Sequence, residues 1–514
     1  MLNINLEDLG VDYFLVNSTN KFLLEYVPIS ENSCFALTGF TGEVGDVLLT
    51  CEGKSFLFVD SRFHIQADKE VNKSNVQVVK LALGQKRDDE ICLKIKPNSV
   101  LGVNPEKISQ NRYEYLRSLL EVINVKIKFI DIESKTRKGS FEYIPTKFTG
   151  ASFEEKLKKI GNNILITKSE EIAYICNIRS FSFDFSVKID GKLLILDNKP
   201  ILFTDYQGVG SRPLSEFEDY ITKIDTPIRV DKSSINAKDY SLLKNPINID
   251  SPTRNLMAIK NAAELNHMEY CFNMTDNALK DTRDWIYSTD GITEYDISLK
   301  LEENFKKYGA KSLSFNSIVA INENSALAHY NKLDKTKILS NGDLVLIDCG
   351  AYYDGGLATD ITRVFVKGQA SELQKKVYTM VLKVFLNCFN YQLTPETQGF
   401  EIDKLAHHIF DANVIAGFEF SHGLGHGIGI GVHEFPPNLS QNNIAKTFLE
   451  ENMCFTIEPG LYNADKFGIR LENTCYLKNG EICSFANMPF EKKLIDTNLL
   501  TNVELDILEK FEVM

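Results

Sequence analysis

Between Ser421 and His433 the chain reads Ser-His-Gly-Leu-Gly-His-Gly-Ile-Gly-Ile-Gly-Val-His, three histidines among five glycines. Glycine at that density costs backbone entropy, and it is tolerated where chain or ligand must approach closely. A lone histidine is usually structural. Three within this segment, and five of the chain's eight between 407 and 433, mark a site rather than a core. His407 and His408 fall in a helical pattern, Lys404-Leu-Ala-His-His-Ile-Phe, and are expected to be surface or core residues.

Acidic residues surround this segment in sequence. Leu344-Val-Leu-Ile-Asp348 is an apolar strand ending in a carboxylate, and Ala358-Thr-Asp-Ile-Thr-Arg-Val-Phe-Val366 is a second strand with Asp360 near its start. A hairpin would bring Asp348 and Asp360 onto one sheet face, where two unpaired carboxylates repel and a cation resolves the conflict. The alternative is a charged loop with both aspartates in water. Phe455-Thr-Ile-Glu-Pro-Gly460 places Glu458 at a strand end before a turn. Phe467-Gly-Ile-Arg-Leu-Glu-Asn-Thr474 reads as one strand with Arg470 and Glu472 on the same face by the period of two. A surface ion pair between those two is the competing reading and would be worth little.

At 514 residues the chain exceeds one compact core, and its 43% hydrophobic and 25% charged content is that of an ordinary globular protein. A formal net charge of −13 argues against nucleic acid as a partner. The N-terminus lacks the basic-then-apolar pattern of a signal peptide, and no apolar run is long enough to span a membrane. The ten cysteines show no C-x-x-C pair, and Cys349, Cys454 and Cys475 read as buried free thiols, so the cytoplasm is the expected compartment.

Alternating strand-like and helical stretches over 11–130 predict an α/β domain at 1–135, with a polar, basic linker near Glu133–Ser140. A second α/β block at 136–252 repeats the style, with Ser169 as the N-cap of a helix. The third block, 253–514, opens on two helices, one from Ala258 to about Tyr287 and one over Glu294–Tyr308, before short strands and glycine turns. The fold class is α/β in the first two blocks and α+β in the third.

Taken together, the motifs Ile347-Asp-Cys-Gly, Thr359-Asp-Ile-Thr-Arg, His422-Gly-Leu-Gly-His, Ile457-Glu-Pro-Gly and Gly468-Ile-Arg-Leu-Glu resemble the pita-bread metallopeptidases. That family includes methionine aminopeptidase, prolidase and Xaa-Pro aminopeptidase. The resemblance implies the ligand set Asp348, Asp360, His426, Glu458 and Glu472 in that order. The gap from Asp348 to Asp360 is one residue longer than the family's usual one, which a longer turn or a β-bulge would absorb. Ala36-Leu-Thr-Gly-Phe-Thr-Gly-Glu-Val-Gly45, Val59-Asp-Ser-Arg-Phe, Ser169-Glu-Glu-Ile-Ala-Tyr-Ile-Cys-Asn-Ile-Arg and the tail from Lys493 are similar to the three-domain aminopeptidases P. The first two blocks are then creatinase-like domains and the third is a pita-bread catalytic domain.

The resemblance implies two divalent metal ions. Four carboxylates balance them formally, and a thiolate-free, oxygen-rich set suits Mn²⁺ first, with Co²⁺, Zn²⁺ or Fe²⁺ compatible. It further implies Glu458 as proton acceptor, His433 as oxyanion stabiliser or proton donor, and His329 on the opposite wall. His422 would line a proline pocket and Arg470 would orient a ligand carboxylate. The substrates implied are peptides with proline at the second position, and the assembly implied is a homodimer. A prolidase confined to Xaa-Pro dipeptides, a metal-free peptidase-like binding protein and a creatinase-like enzyme are the rival readings.

Overall fold

Short strands of two to six residues, connected by helices and turns, build the first of two units. The computed structural model describes residues 4–511 apart from 26, 83 and 133–135. The first unit comprises residues 1–143, 153–180 and 188–253 and holds two six-stranded sheets. In the first sheet the strands are Tyr13–Asn17, Asp46–Thr50, Ser55–Val59, Val76–Lys80, Val100–Val103 and Lys126–Phe129. They lie in the spatial order fourth, third, second, first, fifth, sixth. Alternate side chains of one strand enter different cores, Phe14 and Val16 one, Tyr13 and Leu15 the other, so both sheet faces are covered.

The second sheet uses Ile164–Ile166, Gly191–Leu196, Lys199–Thr204, Ser211–Arg212, Ile228–Val230 and Pro246–Asn248, in the same order. Strand directions match as well. In each sheet the first strand is antiparallel to the second and the second to the third. Third to fourth, first to fifth and fifth to sixth are parallel in each. The two N-terminal blocks therefore share one α/β topology.

Two expectations need correction. Ser169 is the first residue of its helix, Ser169–Ile175, and the N-cap is Lys168, which makes no side-chain cap bond. The stretch read as a linker lies outside the described residues over 133–135. Its described remainder is anchored, with Arg137 forming a two-pronged pair with the buried Asp190 at 2.8 and 2.9 Å and Ser140 bridging to Gln207.

The second unit comprises residues 144–152, 181–187 and 254–514. Helices α1 (Ala262–Ser288) and α2 (Glu294–Lys307) both open on capping boxes, Asn261 with Glu264 and Thr293 with Asp296. The strands that follow are β1 (Ile318–Ile321), β2 (Leu344–Cys349) and β3 (Ile361–Val366). After helices α3 (Glu372–Phe389) and α4 (Gly399–Ala412) come β4 (Gly425–Gly427), β5 (Glu434–Leu439), β6 (Cys454–Ile457), β7 (Gly460–Tyr462), β8 (Gly468–Arg470), β9 (Glu472–Lys478) and β10 (Glu481–Ser484). The main sheet runs β1-β2-β3-β9-β6-β4-β5, with β10 on β9, while β7 and β8 pair separately. This is the pita-bread arrangement expected of the third block.

Strands β2 and β3 are buried along their whole length. On one face Leu344, Leu346, Val364 and Val366 join a core with Val377, Val381 and Phe385 of α3. On the other, Arg363 is wholly buried and fully bonded. Its Nη1 donates to the Glu472 carbonyl at 2.7 Å, its Nη2 to Asn473 Oδ1 at 2.8 Å and its Nε to the Met488 carbonyl at 3.0 Å.

Candidate metal centre

The period of two that sends Leu344 and Leu346 into the core puts Asp348 at the open end of the same face. Across the sheet Asp348 pairs in register with Thr362, and Thr362 with Glu472, so three polar side chains form one row over β2, β3 and β9. Asp360 stands two residues before Thr362, just ahead of β3. The β2–β3 ladder runs unshifted from Leu344↔Val366 to Cys349↔Ile361. The extra residue between the aspartates is thus taken up by the turn, where Gly355 and Gly356 adopt φ of 90° and 64°, and not by a bulge.

His426 comes from β4. Its Nδ1 lies 3.0 Å from the Gly427 carbonyl, which can only accept, so Nδ1 carries the hydrogen and the Nε2 lone pair faces outward. That Nε2 is 3.6 Å from Asp360 Oδ2 and 3.5 Å from Glu458 Oε1. Ligand atoms of Asp360, His426 and Glu472 all lie within 4.8 Å of one another.

The electrostatics of the group are unbalanced. Burial, then the charges of Glu472, Asp348 and Glu458, push the Asp360 carboxyl well above its ordinary range. Burial, then Glu458 and Asp348, do the same to Glu472. Burial lifts Glu458 to about 7, with Arg470 and His433 pulling it back and Asp348 adding to it. The cation bonded to the group is Arg470, whose Nη2 donates to Asp348 Oδ2 at 2.5 Å. Asp348 Oδ1 and Asp360 Oδ1 are buried without a hydrogen-bond partner among the described residues. Orphaned carboxylate oxygens beside an imidazole nitrogen that faces them are the donor set of a divalent cation, and these residues fit one.

Arg470 and Glu472 do not share a strand. Leu471 separates β8 from β9, and Arg470 pairs with Gly460 of β7 in the small sheet. The two side chains still converge, through a residue that sequence reasoning missed. Thr362 Oγ1 donates to Glu472 Oε2 at 2.7 Å and accepts from Arg470 Nε at 3.2 Å. Its position two residues from Asp360 was the available signal.

Tyr462 was missed as well. Its hydroxyl accepts from Arg470 Nη1 at 2.8 Å and lies 2.8 Å from His422 Nε2. Since His422 Nδ1 faces the Gly423 carbonyl at 2.8 Å, Nδ1 bears the hydrogen and Nε2 accepts from Tyr462. A continuous chain of bonds thus runs from His422 through Tyr462 and Arg470 to Asp348. His433 stacks edge-on to His426 with ring centroids 4.2 Å apart. His329 follows a short helical turn, Asn322–Ala326, whose Ser325 hydroxyl exchanges bonds with the Gly468 backbone at 2.8 and 2.9 Å. The segment carrying His329 is thereby docked on β8, the strand of Arg470. His407 is half-buried and His408 exposed, both on α4.

Fold and site together define a metallopeptidase. The model of metallopeptidase family M24 matches residues 266–479, and that of the creatinase/prolidase N-terminal domain matches residues 2–138. Residues 266–479 form an M24 metallopeptidase domain. It is 27% identical over 572 residues to Xaa-Pro aminopeptidase 1 of Dictyostelium discoideum, covering 98% of this chain and 90% of the relative. It is 24% identical over 583 residues to Xaa-Pro aminopeptidase 2 of Homo sapiens, covering 97% and 82%. The crystal structure of X-prolyl aminopeptidase from Caenorhabditis elegans superposes with a TM-score of 0.89 at 20% identity, covering 99% of this chain and 92% of that one, and shows the same fold.

Proposed function

We propose that the chain is a dinuclear-metal aminopeptidase that hydrolyses the N-terminal Xaa-Pro bond of peptides. The observation that carries this reading is the convergence of buried, partly unpartnered carboxylates on His426 Nε2. The names of the curated relatives favour Xaa-Pro bonds over other amides. The proposed ligands are Asp348, Asp360, His426, Glu458 and Glu472. Mn²⁺ is the metal proposed first, and the C. elegans enzyme is described as having a di-nuclear active site.

When bound, divalent cations supply the Lewis acidity that polarises a scissile carbonyl and eases ionisation of water. Glu458, whose Oε1 lies 3.5 Å from His426 Nε2, is suited to take the proton of the attacking water. His433, beside His426, is placed to stabilise the developing oxyanion or to protonate the leaving proline nitrogen. His422, bonded to Tyr462, offers a wall to a proline ring. Arg470 orients Asp348 and, with His329, is assigned to substrate binding.

Domain limits of 1–135, 136–252 and 253–514, a homodimer and a cytoplasmic location complete the proposal. The C. elegans protein is described as a cytosolic enzyme. Metal analysis of the purified protein should find two divalent ions per chain, and a Xaa-Pro-Yaa tripeptide should be hydrolysed at least as well as a Xaa-Pro dipeptide. Activity confined to the dipeptide would identify a prolidase instead. Absence of metal with no turnover of either would leave a binding protein.

A further inference from the structure

Asp403 lies on α4, outside the ligand set, and its carboxylate is wholly buried. The helix does not need it there. Ile402, Ala406 and Phe410 already supply an apolar face to the core, and an ionised carboxylate is among the costliest groups to bury. Its bonds lead elsewhere. Oδ1 accepts from the Leu424 N–H at 2.9 Å, Oδ2 accepts from the Gln441 amide, and His407 Nε2 lies 3.6 Å from Oδ2 one turn along the helix.

Leu424 is the middle residue of His422-Gly-Leu-Gly-His426. The N–H of Glu458 donates to the Leu424 carbonyl at 2.8 Å. Its two faces are thus bonded to Asp403 on one side and to the backbone of Glu458 on the other. The flanking glycines leave it no slack, because a Cβ at Gly425 would stand 1.9 Å from the Thr456 carbonyl and one at Gly423 3.0 Å from Ser440. The segment is held by the buried Leu424 side chain and by the His422–Tyr462 bond. The Asp403 bond adds a fixed orientation for the Leu424 peptide itself.

We infer that Asp403 is a positioning residue for the metal centre, fixing through the Leu424 peptide the aim of His426 and the backbone of Glu458. This rests on the metal reading of the site. Groups that orient ligands in this way commonly change metal affinity 10- to 100-fold when removed.

The test compares Asp403→Asn, which keeps a carbonyl acceptor for Leu424, with Asp403→Leu, which keeps the volume without one. Mn²⁺ affinity of the full-length chain is read by titration calorimetry, with thermal melting in chelator as the control for folding. D403N should bind Mn²⁺ within about threefold of wild type, and D403L about 10- to 100-fold more weakly. Should D403L not fold, Asp403→Glu, which displaces the carboxylate by one methylene, should show the same loss. Wild-type affinity in folded D403L or D403E overturns this inference alone. No Mn²⁺ binding by the wild-type chain overturns the metal reading and this inference with it. Both measurements are independent of peptide turnover, so a failure of Xaa-Pro hydrolysis bears on the proposed substrate only.

Discussion

Thr362 occupies the middle of the row between Asp348 and Glu472, and its hydroxyl hands one proton to a carboxylate while receiving one from a guanidinium. With Arg470 and Tyr462 it leaves each carboxylate one committed oxygen and one to spare, which is what a ligand shell requires. His426→Ala and Glu458→Ala should each lower turnover by about 10²-fold or more while far-UV circular dichroism stays that of wild type. Turnover within tenfold of wild type in either variant would refute the assignment. At this scale the proposed ligands could be picked out because each sits in a short motif. Thr362, Tyr462 and Asp403 were not, since their roles come from bonds between separate segments, as Thr362 is 110 residues from Glu472. No local pattern encodes such a pair.

Elements bring these residues together through a few buried clamps. Glu294, at the start of α2, is wholly buried and holds the segment that carries His329. Its Oε1 accepts from the Ile321 N–H at 2.7 Å and Asn324 Nδ2 at 2.9 Å, and its Oε2 from the Tyr330 hydroxyl at 2.6 Å and the Asp334 N–H at 2.8 Å. Glu294→Gln sets an amide donor against one of these donor pairs and should destabilise the unit by about 1–3 kcal/mol. Hydrogen exchange should quicken at the Ile321 or Asp334 amide, and unchanged exchange at both would rule the clamp out. The β2–β3 hairpin could be read from its two apolar runs. The break at Leu471 could not, because alternation predicts a face but not whether the chain has moved to a neighbouring sheet. Ser169 failed as a cap for a similar reason, since the strand-to-helix turn begins one residue earlier than composition suggests.

For the whole molecule, the two N-terminal sheets could be recognised as α/β from their alternation, yet their common strand order emerged only from pairing, which sequence periodicity does not fix. Charge in the second unit sets a measurable pH response. Asp360, Glu472 and Glu458 all have raised pKa values, so the folded state holds protons that the unfolded chain gives up. The contribution of these three groups to the stability of chelator-stripped protein should therefore be fully present below the ordinary carboxylate range and be lost as pH rises through about 7. Glu458 alone accounts for a loss on the order of 3 kcal/mol. Melting temperatures measured from pH 5 to 8 should drop without metal and flatten with it, and a rise with pH in the stripped protein would contradict the site's charge balance. Arg363 adds a constraint of timing. It ties the strand of Glu472 to Met488, so all five proposed ligands are translated before a segment that completes their support. Proteins terminated just before Met488 should carry all five proposed ligands and yet retain little metal when isolated.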